Sequence, residues 1–338
     1  MGCNLRDLAD AQSFDLKELA GKTIGIDAFL VAFQFITSMR NRGAEGDGGP
    51  LTNSKGQPVA HLMGFLERTT TLLELGLKPV YVFDGKHPEL KADVITQRRE
   101  RRAKAEKEWK EALAEGDYER AQKMGQRAAN YTPEMQAQTK KLLDLLGVPW
   151  VDGAAEGEGQ AAVMARRGEI DIVATQDWDA LLYGSPILIR NLMSHGSRRM
   201  GRVISAERIV LDDLLSKHQI SREQLVDLAI MIGTDFHPGI KGIGPKTGLK
   251  LIKEHGDIET ICQVKGKDVP ERLAEIREIF LNHPACDVDS IQQGNVDETE
   301  LRNFLIDEFE FGEKRFERNM KRLSGRIRST GQSSLFQF

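Results

Sequence analysis

Seven acidic residues in this chain of 338 stand where acids could act together. Four short apolar runs, at 23–26, 79–83, 170–175 and 186–189, read as buried strands. Asp27 follows the first and Asp84 the second, while the third leads into Gln176-Asp177-Trp178-Asp179. A further apolar run, 148–151, leads into a Gly/Ala loop carrying Glu156 and Glu158, and Asp235 is expected to end the helix that begins at Ser221. One Asp after a strand is most often a helix N-cap. Five segments that deliver seven carboxylates, at least four of those segments to one sheet edge, argue for chemistry. So many like charges stay ionised only with cations among them, and otherwise some of them protonate.

Asp and Glu without His or Cys select hard cations, Mg²⁺ or Mn²⁺. Two such ions roughly 3.5–4 Å apart are a known solution for phosphodiester hydrolysis. They activate water and stabilise the leaving oxygen, so no side-chain nucleophile is required. That agrees with the chain, which holds no convincing Ser/His/Asp or Cys/His arrangement. Its seven histidines are scattered and read as structural or surface residues.

A second signal is Gly239-Ile240-Lys241-Gly242-Ile243-Gly244-Pro245-Lys246. Glycines at this spacing permit a tight turn, and Pro245 suits the first position of a helix running to about His255. A Gly-rich turn that opens a helix presents amides and the positive dipole end to an anion. Lys241, Lys246 and Lys250 add charge. The pattern is a helix–hairpin–helix, which grips duplex backbone without reading sequence. The alternative is an ordinary Gly-rich turn. The spacing is not that of a Walker loop.

These residues need a scaffold. Helical spacing at 61–75, 132–146 and 160–167 alternates with the strands, which implies a mostly parallel sheet with helices on both faces. Helices are also expected at 212–217 and 221–232, the second opened by a Ser221/Gln224 capping box. Residues 86–127 are rich in Lys, Arg, Glu and Ala and read as helical without a continuous apolar stripe. That suits either a solvated surface helix or a protruding arch against an anionic ligand. Beyond the small polar run 329–331, the last seven residues read as a flexible tail with an apolar hook.

The composition is globular, at 40% hydrophobic and 29% charged, and no apolar run reaches the ~18 residues that span a bilayer. The net charge of −4 argues mildly against a nucleic-acid partner, but basic residues concentrate at 98–110, 198–208, 241–253 and 314–328. Cys3, Cys262 and Cys286 are too few and scattered for a disulfide framework or zinc site. The N-terminus lacks the basic-then-apolar pattern of a signal peptide, so none is expected, and Arg6 spoils a myristoylation signal after Met1-Gly2-Cys3. A cytoplasmic, nucleoid-associated protein is expected.

Taken together, Ile24–Ala28, the 49–54 stretch Gly-Pro-Leu-Thr-Asn-Ser, Val82-Phe83-Asp84-Gly85-Lys86, Thr175-Gln176-Asp177-Trp178-Asp179 and the hairpin resemble the flap endonuclease family in its archaeal-like form. The resemblance covers nearly the whole chain. It implies an α/β, PIN-like 5′-nuclease core with a helical arch and a helix–hairpin–helix. It implies a structure-specific 5′-flap endonuclease with 5′–3′ exonuclease activity, which removes flaps during Okazaki fragment maturation and repair. Asp27, Asp84, Glu156 and Glu158 would lie nearest one Mg²⁺, and Asp177, Asp179 and Asp235 nearest a second. Lys91 and Arg98, seven residues apart and so on one helix face, would engage the scissile phosphate. Gly2, Glu156, Arg40, Arg42 and Phe33 join the hairpin as DNA contacts, with a wedge over 35–66. Phe33 stands where the family often has a stacking Tyr, and core packing is its other reading.

Gln332, Leu335, Phe336 and Phe338 resemble a peptide that docks on the sliding clamp PCNA, although Phe336 is displaced and the chain stops one residue short. The implied organisation is a nuclease region at 1–98, an arch at 86–130 and an internal nuclease region at 131–260 with the helix–hairpin–helix at 221–255. A C-terminal helical region at 261–328 and a clamp tail at 329–338 follow. A monomer acting on branched DNA is expected. The rival readings are a related 5′-nuclease for other junctions and a non-catalytic, clamp-tethered junction binder.

Overall fold

The computed structural model describes residues 3–42, 46–199, 201–288 and 291–333, with side chains for all but 199 and 325–333. Among these residues a seven-stranded sheet takes the order β1-β9-β6-β5-β2-β3-β4. Its strands are β1 (Gln12–Ser13), β2 (Thr23–Asp27), β3 (Lys78–Phe83), β4 (Trp150–Asp152), β5 (Ile172–Ala174), β6 (Ile187–Arg190) and β9 (Glu207–Val210). A small hairpin, β7 (Arg198–Arg199) with β8 (Arg202–Val203), stands apart. The five strands from β6 to β4 run parallel, and β9 and β1 close one edge antiparallel. The expected mostly parallel sheet is therefore present. The two-residue edge strand β1 and the four-residue β9 beside it carry too little apolar periodicity to stand out in the sequence, whereas β4 overlaps the apolar run 148–151.

Strand β3 shows why this sheet needs cover on both faces. Its Tyr81 and Phe83 enter one apolar cluster with Ile24, Ile26 and Phe65, while Val80 and Val82 enter another with Val173, Leu228 and Phe280. Side chains alternate across a strand, so the near-continuous apolar run feeds both clusters. The first face is covered by α1 (Ala28–Ser38), α2 (Ala60–Glu74) and α5 (Pro133–Leu145). The second is covered by α6 (Gly157–Arg167), α7 (Asp179–Leu182), α8 (Leu211–His218), α9 (Arg222–Ile232), α10 (Pro245–His255), α11 (Ile258–Lys265) and α12 (Leu273–Leu281). The chain then returns to the first face through α13 (Glu298–Arg302) and α14 (Glu313–Ser333), whose Phe316, Met320 and Leu323 pack there. No helix among the described residues is long and apolar enough to cross a membrane.

The charged segment before α5 is two helices, α3 (Ala92–Ala114) and α4 (Tyr118–Arg127), not one. Gly116, at φ +72°, turns the chain between them, and Asp117 caps α4 through the Arg120 amide. Ala105, Ala112, Ala121 and Met124 are buried. Three alanines with Met124 thus form the apolar face that the sequence did not reveal. Trp109 Nε1 donates to the Asp47 carbonyl at 2.6 Å and ties this hairpin to the segment after α1. Helix α14 also runs through 329–331, where a tail was expected, and carries Gly331 in its last turn.

The topology fixes where a ligand would bind. From β2 the chain moves outward to β3 and β4, then crosses back past β2 to β5 and β6. Reversal of strand order at β2 opens a crevice at the carboxyl ends of β2, β3 and β5, where open parallel sheets bind their ligands.

Candidate metal centre and nucleic-acid interface

The crevice is lined with acid. Asp27 is the last residue of β2 and caps α1 by accepting from the Leu30 amide at 2.9 Å. Asp84 follows β3 and accepts from the Gly157 amide at 2.7 Å. Glu156 is the N-cap of α6, and Glu158 lies in its first turn. Asp177 and Asp179 sit after β5, where Asp179 opens α7 and accepts from the Cys3 amide at 2.7 Å. These elements lie on neighbouring strands, so parallel pairing alone brings the six together. Asp235 arrives from elsewhere. It was expected to end α9, but α9 stops at Ile232, and Gly233 at φ +119° turns the chain so that Asp235 lies beyond it.

One oxygen from each of Glu158, Asp177 and Asp179 lies within 4.8 Å of the others. Glu158 Oε2 is buried without a hydrogen-bond partner. A buried carboxylate oxygen with no donor is costly unless a cation meets it. Burial pushes Glu158 well above its ordinary value, and Asp177 and Asp179 push it further. Burial, then Asp177, does the same to Asp179. Asp27 is pushed up to about 7 by burial and by Asp84, against the Leu30 amide. Asp84 is raised by burial and Glu156. Four acids are thus disfavoured as anions by one another and by lost water. A hard divalent cation reverses that, and an all-oxygen donor set suits one.

Two expected cations reach the same acids. Lys91 Nζ pairs with Glu156 Oε2 and lies 3.4 Å from Asp235 Oδ2. Arg98 Nη2 meets both Asp235 oxygens at 2.8 and 2.9 Å. Burial alone would raise Asp235, but surrounding cations, Lys91 and Arg98 among them, hold it down at about 2. Glu156 is likewise lowered despite burial, by His87 and Lys91. Burial opposes the charge on Lys91, and Glu156 and Asp235 restore it. His87, read from sequence as a structural or surface residue, donates from Nδ1 to Glu156 Oε1 at 2.9 Å. Its only sequence signal is its place two residues after Gly85, on the segment that leaves β3.

The hairpin lies beside Asp235. The Ile240 amide bonds the Met231 carbonyl at 2.8 Å, Gly242 adopts φ +90° with open space around it, and Pro245 is the first residue of α10. Lys241, Lys246 and Lys250 are exposed, as a backbone grip requires. Its Gly244 N-cap has no side chain to occupy the first-turn amides of α10.

The other expected DNA contacts are less uniform. Phe33 is half-buried and packs against the first apolar cluster. Arg40 spends its Nε on the Gly48 carbonyl at 2.7 Å and an Nη on the Ile36 carbonyl at 3.2 Å, which makes it a staple of its own loop. Arg42 is exposed, with a 3.2 Å contact to the Thr37 carbonyl. Gly2, Leu335, Phe336 and Phe338 lie outside the described residues, as does the side chain of Gln332.

The chain is similar to known proteins along nearly its whole length. The XPG N-terminal domain matches residues 4–105, and the XPG I-region matches 147–235. Flap endonuclease 1 of Pyrococcus horikoshii is 43% identical over 341 residues, covering 99% of this chain and 97% of that one. The Methanosarcina barkeri protein of the same name is 40% identical, covering 96% of each. The solved flap endonuclease-1 of Methanococcus jannaschii superposes with a TM-score of 0.75 at 36% identity, covering 97% of this chain and 100% of that one. With acids, cations and hairpin in one crevice and likeness along its whole length, the chain belongs to the flap endonuclease family.

Proposed function

We propose that this nuclease cuts branched DNA at the base of a 5′ flap, and also degrades from 5′ ends, during replication and repair. The observation that carries the proposal is the cluster of Glu158, Asp177 and Asp179, with Asp27, Asp84, Glu156 and Asp235 near enough to interact with these acids or one another, and Lys91 and Arg98 paired among them. Asp27, Asp84, Glu156 and Glu158 would hold one Mg²⁺, with Asp177, Asp179 and Asp235 nearest a second. Bound there, such ions supply Lewis acidity for phosphodiester hydrolysis.

The chain's own residues do the rest. Lys91 and Arg98 occupy carboxylate oxygens that a phosphate resembles in charge and shape, so the scissile phosphate is their natural exchange partner. Helices α3 and α4 form an arch over that place and admit a strand with a free end. The hairpin holds the duplex by its backbone through Lys241, Lys246 and Lys250, without reading bases. Phe33 offers a ring for stacking near the junction, and 35–66 forms the wedge at which DNA bends. Residues 332–338 dock on the sliding clamp PCNA, and the enzyme acts as a cytoplasmic monomer.

Cleavage of matched flap, bubble, nicked and four-way substrates in Mg²⁺ tests this. The 5′ flap should be cut fastest. Preference for a bubble or four-way junction would point to a related 5′-nuclease, and tight flap binding without Mg²⁺-dependent cutting would sink the enzymatic reading.

A further inference from the structure

Glu156 is held from two sides. Lys91 pairs with its Oε2, and His87 Nδ1 lies 2.9 Å from its Oε1. The acid is 5% exposed and the imidazole 40%, so a ring at the mouth of the crevice grips a buried carboxylate. Facing a carboxylate oxygen, Nδ1 must carry hydrogen, and the neutral imidazole suffices.

The backbone dictates this meeting. The Gly85 amide donates to the Ala155 carbonyl at 2.7 Å, and a Cβ at Gly85 would lie 1.8 Å from the Gly153 carbonyl oxygen. The strand leaving β3 therefore presses on the loop that ends at Glu156, which only glycine allows. Six residues on, the Lys91 amide closes a turn on the Pro88 carbonyl at 3.0 Å. Fixed at both ends, this segment brings His87 to one oxygen of Glu156 and Lys91 to the other.

The two contacts pull differently. Lys91 also lies 3.4 Å from Asp235 and so draws Glu156 toward that acid. A carboxylate held at one oxygen turns about its own axis, whereas one held at both keeps its plane. Each oxygen has two lone-pair directions, so the Oε1 used by His87 keeps one for a cation. We infer that His87 is a positioning residue for the metal centre: it fixes the plane of the Glu156 carboxylate against the pull of Lys91. This rests on the reading of Glu156 as a cation ligand.

Calorimetric titration of the DNA-free, full-length protein with Mn²⁺ tests the inference. His87→Ala should weaken Mn²⁺ binding about tenfold, as loss of a group that orients a ligand does. His87→Asn, which keeps a donor, should recover most of that loss, and flap affinity without divalent metal should be unchanged in both. Wild-type Mn²⁺ binding by His87→Ala, or an Asn variant as weak as Ala, would overturn the role of His87. Glu156→Gln and Asp177→Ala separate this from failure of the underlying reading. If they too bind Mn²⁺ like wild type, the metal centre itself is misassigned, and with it the role of His87.

Discussion

Arg98 donates to both oxygens of Asp235, at 2.8 and 2.9 Å, across 137 residues of sequence. The contact joins the arch helix α3 to the turn that leads into the hairpin. Under the proposed function, an element that selects a strand and an element that grips duplex would thus meet on one acid of the site.

Lys91→Ala and Arg98→Ala should each slow single-turnover flap cleavage about 10²-fold, the size expected when a charge clamp on a transferring phosphate is removed. Equilibrium binding should weaken far less. A loss of affinity with an unchanged rate at saturation would mean that the two residues only hold DNA.

The hairpin lysines should behave the opposite way. A Lys241→Ala/Lys246→Ala variant should bind flap DNA more weakly, and the slope of log affinity against log salt should fall by about 0.9 for each phosphate that is no longer neutralised. Its rate at saturating DNA should match wild type. An unchanged salt slope would remove the hairpin from the interface.

Gly85 tests the packing behind the centre. A methyl group there meets the Gly153 carbonyl oxygen at 1.8 Å, a clash with backbone that cannot swing aside. Gly85→Ala should cost about 1–3 kcal/mol in denaturant unfolding, as overpacking does. A change under about 0.5 kcal/mol, the range of a neutral surface substitution, would show that the loop yields freely.

Much of this was readable in the sequence, for local reasons. Asp27 and Asp84 each follow an apolar run, so strand length alone placed them at one edge. Pro245 after Gly244 marked the start of α10, and Ser221 with Gln224 forms the capping box that their spacing predicted. What escaped depends on contacts distant in sequence or on backbone turns. Asp235 lies past the end of α9 because Gly233 adopts a positive φ. The break between α3 and α4 turns on Gly116, and their apolar face is mostly alanine, which a hydrophobic stripe search passes over. The bonds from Arg40 to the carbonyls of Ile36 and Gly48 were likewise not legible. His87 meets Glu156 across 69 residues, and no sequence spacing encodes that pairing.

Deletion of residues 332–338 should abolish stimulation of cleavage by the sliding clamp and leave basal cleavage intact. Measured with and without clamp on one flap substrate, unchanged stimulation would remove the tail from the interface.

The acids remain the centre of the account, and Asp177 is the residue to remove, since it lies in the cluster with Glu158 and Asp179. Single-turnover cleavage of a 5′-flap substrate, with flap binding measured on the same samples, is the direct test. Wild type should cut only with divalent metal. Asp177→Ala should bind the flap and cut it at least about 10³-fold more slowly, equivalent to roughly 4 kcal/mol of lost transition-state stabilisation. Cleavage by the variant at the wild-type rate, or wild-type cleavage in chelator, would contradict the account.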